Sequence, residues 1–126
     1  MKITKLEDLV VWQESRVLIK MVYAATASFP NDEKYNLTKH MRECARNIPA
    51  NIAEGFGRYH YQESMQFYRI ARGSLTELKS DSYSADDCNY LTKIQLNKLL
   101  NQNEKVGRLL NGFIKTTISA KKYSDN

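Results

Sequence analysis

The residues able to do chemistry gather in one stretch, "HMRECARNIPANIAEGFGR", from His40 to Arg58. On a helix, His40, Asn47, Asn51, Glu54 and Arg58 fall along one side, and Lys39, Arg42 and Arg46 form a neighbouring basic line. Glu54 and Arg58 stand four apart with the acid first, the order that favours an intrahelical ion pair. Asn51 lies nearest the apolar side, so it is expected to be part-buried and hydrogen-bonded. Three readings of this stripe stand. It ties its helix to the next one, to a turn or to another subunit; it contacts a ligand or RNA, with "GRYHY" adding cations and stacking surfaces; or it is catalytic.

The signals for catalysis are sparse. His40 and His60 are in no metal-ligand spacing, and the Glu-x-x-His pair that builds di-iron sites in helical bundles does not occur. "GFG" is too short for a phosphate loop and follows a helix rather than a strand. Ser74 falls on an inner helix face without a base. Glu54 and Glu77 could meet between neighbouring helices, an arrangement also common in structural networks. No catalytic residue, metal or cofactor is expected.

Four segments with a 3.6-residue period must position these groups. They span about residues 8–28, 34–57, 61–89 and 92–121. In the first, Val10, Val17, Met21 and Ala24 recur at helical spacing and Val11, Leu18, Val22 and Ala25 widen that face. A third line, Trp12, Ile19 and Tyr23, lies well round the helix. It reads either as a thick core contact with partly exposed aromatics or as a subunit interface. Phe29 is expected to plug the bundle end before a helix capped at Asp32 or Asn36.

In the second segment Leu37, Met41, Cys44, Ile48, Ile52 and Gly55 keep their rhythm through Pro49. That predicts one kinked helix, although an interior proline costs about 3 kcal/mol. Gly55 and Gly57 then give the chain freedom to turn. The third segment turns Phe67, Ala71, Ser74, Leu75, Leu78, Ser82 and Ala85 inward, and Gly73–Ser74 suggests a close helix–helix approach. The fourth starts at an N-cap, Thr92, and turns Leu96, Leu99, Val106, Leu109, Leu110, Phe113 and Ile114 inward; its tail, "KKYSDN", is expected to fray. The fold class is all-α: a single-domain, antiparallel up-down-up-down four-helix bundle.

Charge is uneven. The net charge is +5 over 126 residues. Residues 92–122 carry seven Lys/Arg against Glu104 alone, whereas residues 61–90 are net acidic. Lys98, Lys105, Arg108, Lys115 and Lys122 fall opposite the apolar side of the fourth helix. Cys44 and Cys88 read as buried thiols of a reducing compartment. The N-terminus is charged too early for a signal peptide, and no apolar run is long enough to cross a membrane, so a cytoplasmic location is expected.

Some of these residues also form a recognisable pattern: Trp12; Phe29–Pro30; Tyr35, Leu37 and Thr38; "IPANIAEG" from Ile48 to Gly55 with Gly57 and Arg58; and Ile70, Ala71, Gly73, Ser74, Leu75, Glu77 and Leu78. With them the chain resembles the bacterial four helix bundle proteins, the 23S rRNA intervening-sequence protein family, some members of which are encoded in insertions within large-subunit rRNA genes. Where that family has an arginine pair before the proline motif, this chain keeps Arg42 and has Glu43. The resemblance implies a bundle assembled into a ring, a homopentamer, with no established enzymatic activity. A more distant similarity is to the accessory protein of diversity-generating retroelements, a basic pentamer that associates with a reverse transcriptase and nucleic acid.

The expectation is a non-enzymatic homo-oligomer that binds RNA, or an RNA–protein assembly, through Arg42, Arg46, Arg58, Lys98, Lys105, Arg108 and Lys115. Asn47, Pro49, Asn51, Glu54, Gly55 and Gly57 form the structural motif, and Trp12, Ile19 and Tyr23 the oligomer interface. The alternative is a structural adaptor that docks another protein and binds no nucleic acid.

Overall fold

A computed structural model of the chain describes residues 4–125, with side chains described as far as Lys121. The described residues form four helices: α1 (Val10–Thr26), α2 (Leu37–Phe56), α3 (Tyr61–Asp87) and α4 (Lys93–Asp125). Single turns of 3₁₀ helix at Leu6–Asp8 and Asn31–Glu33 precede α1 and α2. Each helix packs against the next and α4 closes on α1, giving a four-helix bundle around one core. Contacting residues run in opposite order along neighbours: Tyr23 meets Arg46 where Thr26 meets Arg42, and Leu75 meets Asn103 where Tyr68 meets Phe113. α4 remains helical through Asp125, beyond the expected start of fraying.

The core is a set of inward stripes. Leu18, Val22, Met41, Ile48, Ile52, Leu78, Val106 and Leu110 are almost fully enclosed, and each large side chain so buried contributes about 1.5–3 kcal/mol. On α1 the inner stripe is Val11, Leu18, Val22 and Ala25. The line expected to lead it is turned outward: Val10 is 54% and Val17 41% exposed. Ser15, a polar residue within the apolar pattern, takes the inward position between Val11 and Leu18; its hydroxyl donates to the Trp12 carbonyl at 2.7 Å. Thr26 and Ser82 are buried in the same way, donating to carbonyls four residues back.

Pro49 lies inside α2, which continues as helix on both sides of it. The proline is buried, and Ala45 and Ile48 beside it are enclosed. Asn36 occupies the N-cap of α2 without a side-chain cap bond; the Glu33 carboxylate accepts from the Leu37 N–H at 3.5 Å instead. Glu33 also accepts from the Tyr90 hydroxyl at 3.0 Å, and Tyr90 packs on Phe29 with ring centroids 5.4 Å apart. Phe29 thus fills the bundle end as expected. Thr92 caps α4 reciprocally: its hydroxyl accepts from the Gln95 N–H at 3.1 Å, and the Gln95 amide oxygen accepts from the Thr92 N–H at 2.9 Å.

The close helix approach is at Gly55, not at Gly73. A Cβ on Gly55 would lie 2.9 Å from the Ser64 carbonyl oxygen and collide with the Tyr68 ring, whereas one on Gly73 would meet nothing. Gly57 closes α2 with φ −81°, so neither glycine uses left-handed freedom to end the helix. The left-handed position is Asn89, φ 62°, after α3. Asparagine tolerates that region better than most residues. Phe67 is only half-buried; Met65 and Tyr68 hold the inner positions at the start of α3.

Two measurements test this packing. In urea denaturation Gly55→Ala should lose about 1–3 kcal/mol through overpacking, while Gly73→Ala should gain about 0.5–1 kcal/mol as an exposed helical position. Burial also pushes the Tyr68 phenol from 10.0 up to about 12. The unfolded chain therefore ionises first, and the stability tied to this residue is intact below about pH 10 and lost by about pH 12. Tyr68→Phe should fall less steeply than the wild type across that window in a pH series of urea midpoints.

Candidate nucleic-acid interface

The second helix meets the first through a run of cations. Arg42 and Arg46, one turn apart on α2, both reach Tyr23 on α1. The Arg42 guanidinium lies over the Tyr23 ring at 4.6 Å from its centroid, and its Nε donates to the Thr26 hydroxyl at 2.9 Å. Arg46 donates to the Tyr23 hydroxyl. Lys34, Tyr35, Thr38, Lys39 and Glu43 complete a surface groove of about 380 Å³ around these groups. Glu43 is the acid in the lining, 3.9 Å from Lys39. Four cations thus face one concavity. Tyr35, 77% exposed at its rim with Lys34 5.5 Å from its ring centroid, offers an open stacking face.

The other expected cations are elsewhere and mostly engaged. Arg58 pairs with Glu54 at 3.1 Å, as the spacing predicts, and covers the Phe67 ring at 4.9 Å. On α4, Lys105 pairs with Glu14 and Arg108 with Glu104, each at 3.0 Å. The Gln102 amide first, and the Lys105 ammonium second, hold the Glu14 carboxyl below its ordinary pKa. Lys98 and Lys115 are exposed and free of ion pairs among the described residues. The Lys122 side chain lies outside the described residues. The seven expected contacts therefore do not form one site; Arg42 and Arg46 alone share the groove.

The structural motif is also divided. Asn51 is half-buried and donates to the Asn47 carbonyl at 2.7 Å, within its own helix. Asn47, Glu54 and Gly57 are exposed, while Pro49 and Gly55 are buried. Trp12, Ile19 and Tyr23 are half-buried: Trp12 carries Arg16 over its ring at 4.9 Å, and Tyr23 is occupied by the two arginines of α2. The large apolar side chains left open on α1 are Val10 and Val17, with the smaller Ala24 exposed on the same line.

Glu54 and Glu77 take different partners. Glu77 belongs with His40, Cys44 and Asp81 at the α2–α3 contact. The His40 Nδ1 bonds the Asp81 carboxylate, its Nε2 lies 3.5 Å from Glu77, and the Cys44 thiol donates to Glu77 at 3.5 Å. Burial first, then the bond to Glu77 and the nearby carboxylates, push the Cys44 thiol up to about 12. Two i, i+4 pairs, His40/Cys44 and Glu77/Asp81, could have signalled this cluster; a search for histidine pairs misses it. Cys88, expected buried, is exposed just beyond the C-terminus of α3. Asn103 also escaped the sequence reading. It is buried and donates to the Leu75 carbonyl at 2.9 Å.

The fold is an all-α four-helix bundle, and in this chain a basic, tyrosine-lined groove lies between the first two helices. The chain belongs to the 23S rRNA-intervening sequence protein family, whose pattern matches residues 7–112. Among solved structures it is similar to a protein of unknown function from the S23 ribosomal protein family of Bacteroides thetaiotaomicron. The TM-score is 0.75 at 20% identity, covering 84% of this chain and 99% of that one. No curated protein matches it. No described helix is long and apolar enough to cross a membrane.

The two groove arginines differ in what they hold. Arg42→Lys keeps the charge but loses the directed bond to Thr26 and the planar cover on Tyr23, so about 1 kcal/mol of stability should go. Arg46→Lys at its exposed position should stay within about 0.5 kcal/mol of the wild type in the same urea titration.

Proposed function

We propose that this chain is a non-enzymatic, homo-oligomeric bundle that binds RNA, alone or within an RNA–protein assembly, through the groove between α1 and α2. The observation that carries the reading is the convergence of Lys34, Lys39, Arg42 and Arg46 with Tyr23 and Tyr35. Four cations in one concavity match a phosphate backbone, and an exposed tyrosine at the rim can stack an unpaired base. The net charge of +5 favours the encounter with a polyanion. The family's name ties it to rRNA genes, which agrees with this partner.

Lys98 and Lys115, exposed on α4, would add to the attraction without belonging to the groove. Assembly is assigned to α1, where Val10 and Val17 leave apolar surface uncovered. A cytoplasmic ring of five copies is the form that the family resemblance favours.

Fluorescence anisotropy with a labelled RNA hairpin tests the reading. Four phosphate contacts should weaken binding about a hundred-fold between roughly 50 and 200 mM salt. The double variant K39E/R46E should abolish binding at both salts. K98E/K115E changes the net charge equally and should reduce affinity only modestly. Absence of binding, affinity flat in salt, or loss confined to K98E/K115E would refute the groove. Native mass spectrometry checks assembly: a clean monomer in the wild type would remove the role given to Val10 and Val17.

A further inference from the structure

The polar cluster at the α2–α3 contact has the chemistry of a metal centre. His40 and Cys44 lie one turn apart on α2, opposite Glu77 and Asp81 one turn apart on α3. The donor atoms of His40, Cys44 and Asp81 all lie within 4.8 Å of one another. Three atoms define a more regular figure. His40 Nε2 is 3.5 Å from the Glu77 carboxylate oxygen and 3.7 Å from Cys44 Sγ, and that sulfur is 3.5 Å from the same Glu77 oxygen. Separations of this size are those kept by atoms that share one ion at zinc bond lengths of about 2.0–2.3 Å.

The fourth residue has a separate task. Asp81 accepts the Nδ1 proton of His40. That leaves the imidazole lone pair on Nε2. Cys44 Sγ is 3.7 Å from Nε2 and 3.9 Å from Nδ1, beside the ring rather than on that lone pair, so binding requires the imidazole to turn toward the sulfur. The His40 and Glu77 side chains are 49% and 63% exposed, so an ion can enter from solvent, while Cys44 forms the closed floor.

We infer that His40 Nε2, Cys44 Sγ and a Glu77 carboxylate oxygen bind one divalent transition-metal ion of the zinc class, with Asp81 positioning the imidazole and water in the remaining coordination place. A mixed nitrogen, sulfur and oxygen donor set favours zinc over magnesium or calcium, which take oxygen ligands. On binding, the metal–sulfur bond replaces the Cys44 S–H bond and the proton leaves to solvent; no redox change occurs. The ion would join α2 to α3 through side chains that otherwise hold each other by hydrogen bonds. Nothing in this site depends on the basic groove.

Cobalt(II) is the probe. The untagged, metal-free full chain, titrated with cobalt chloride under reducing, anaerobic conditions, should take up one equivalent per chain. It should develop a thiolate-to-cobalt charge-transfer band and the visible bands of a four-coordinate site, both bleached by one equivalent of zinc. Cys44→Ser should abolish the charge-transfer band. His40→Ala should weaken binding at least about tenfold, and Asp81→Asn about 10–100-fold with the spectrum retained in form. Cys88→Ser should change nothing. Circular dichroism establishes that each variant is folded. A folded wild type with no saturable cobalt spectrum, or a charge-transfer band lost in Cys88→Ser and kept in Cys44→Ser, overturns the assignment.

Discussion

The approach of α2 to α3 at Gly55 is the constraint on which the arrangement depends. With no side chain there, the helix backbone can come against Tyr68 and the Ser64 carbonyl. Tyr68 in turn packs edge-on against Phe113 at 5.0 Å, so the same contact carries through to α4. Spacing of the other residues along α2 then follows from helical geometry. About three turns back toward the N-terminus Cys44 is inward, and one turn further His40 meets Asp81 on α3. On the opposite flank Arg42 and Arg46 are delivered to α1. One glycine thereby sets the distance at which two chemically different surfaces of α2 can form.

Pro49 belongs to the same economy of close packing. It is buried and interrupts neither the helix nor the inward stripe of Met41, Cys44, Ile48 and Ile52. The ring removes a backbone donor but also has no N–H of its own to satisfy in the core. The inward polar residues are handled locally as well. Ser15, Thr26 and Ser82 return their hydroxyl protons to their own helices, and Asn103 donates to α3. The described residues contain no buried side-chain nitrogen or oxygen lacking a partner.

The helices were legible because their apolar periodicity is strong, and the inner faces of α2 and α4 were readable almost residue by residue. α1 was harder because three apolar lines compete on it. Hydrophobicity alone ranks Val10 and Val17 with Leu18 and Val22, and the inward Ser15, which marks the true stripe, looks polar on paper. The groove was half legible. Arg42 and Arg46 were visible as a basic line, but their junction with Tyr23 depends on how two helices cross. The His40 cluster was hidden for the same reason: each pair of ligand types is on one helix, and only packing brings the two pairs together. The seven cations, read in sequence as faces of the second and fourth helices, are divided further by packing, since Glu14, Glu54 and Glu104 each claim one of them.

Tyr90 makes the two ends of the bundle unequal. By bonding Glu33 and packing its ring at a tilt against Phe29, it laces the α1–α2 connection to the α3–α4 connection. Among the described residues the short bridge from Gly57 to His60 at the other end has no such lacing, and Tyr59 within it stands 95% exposed. Changes in chain length should therefore be absorbed at that bridge and resisted at the laced end. Among descendants of a common bundle, novelty would accumulate at one pole while the other stayed fixed.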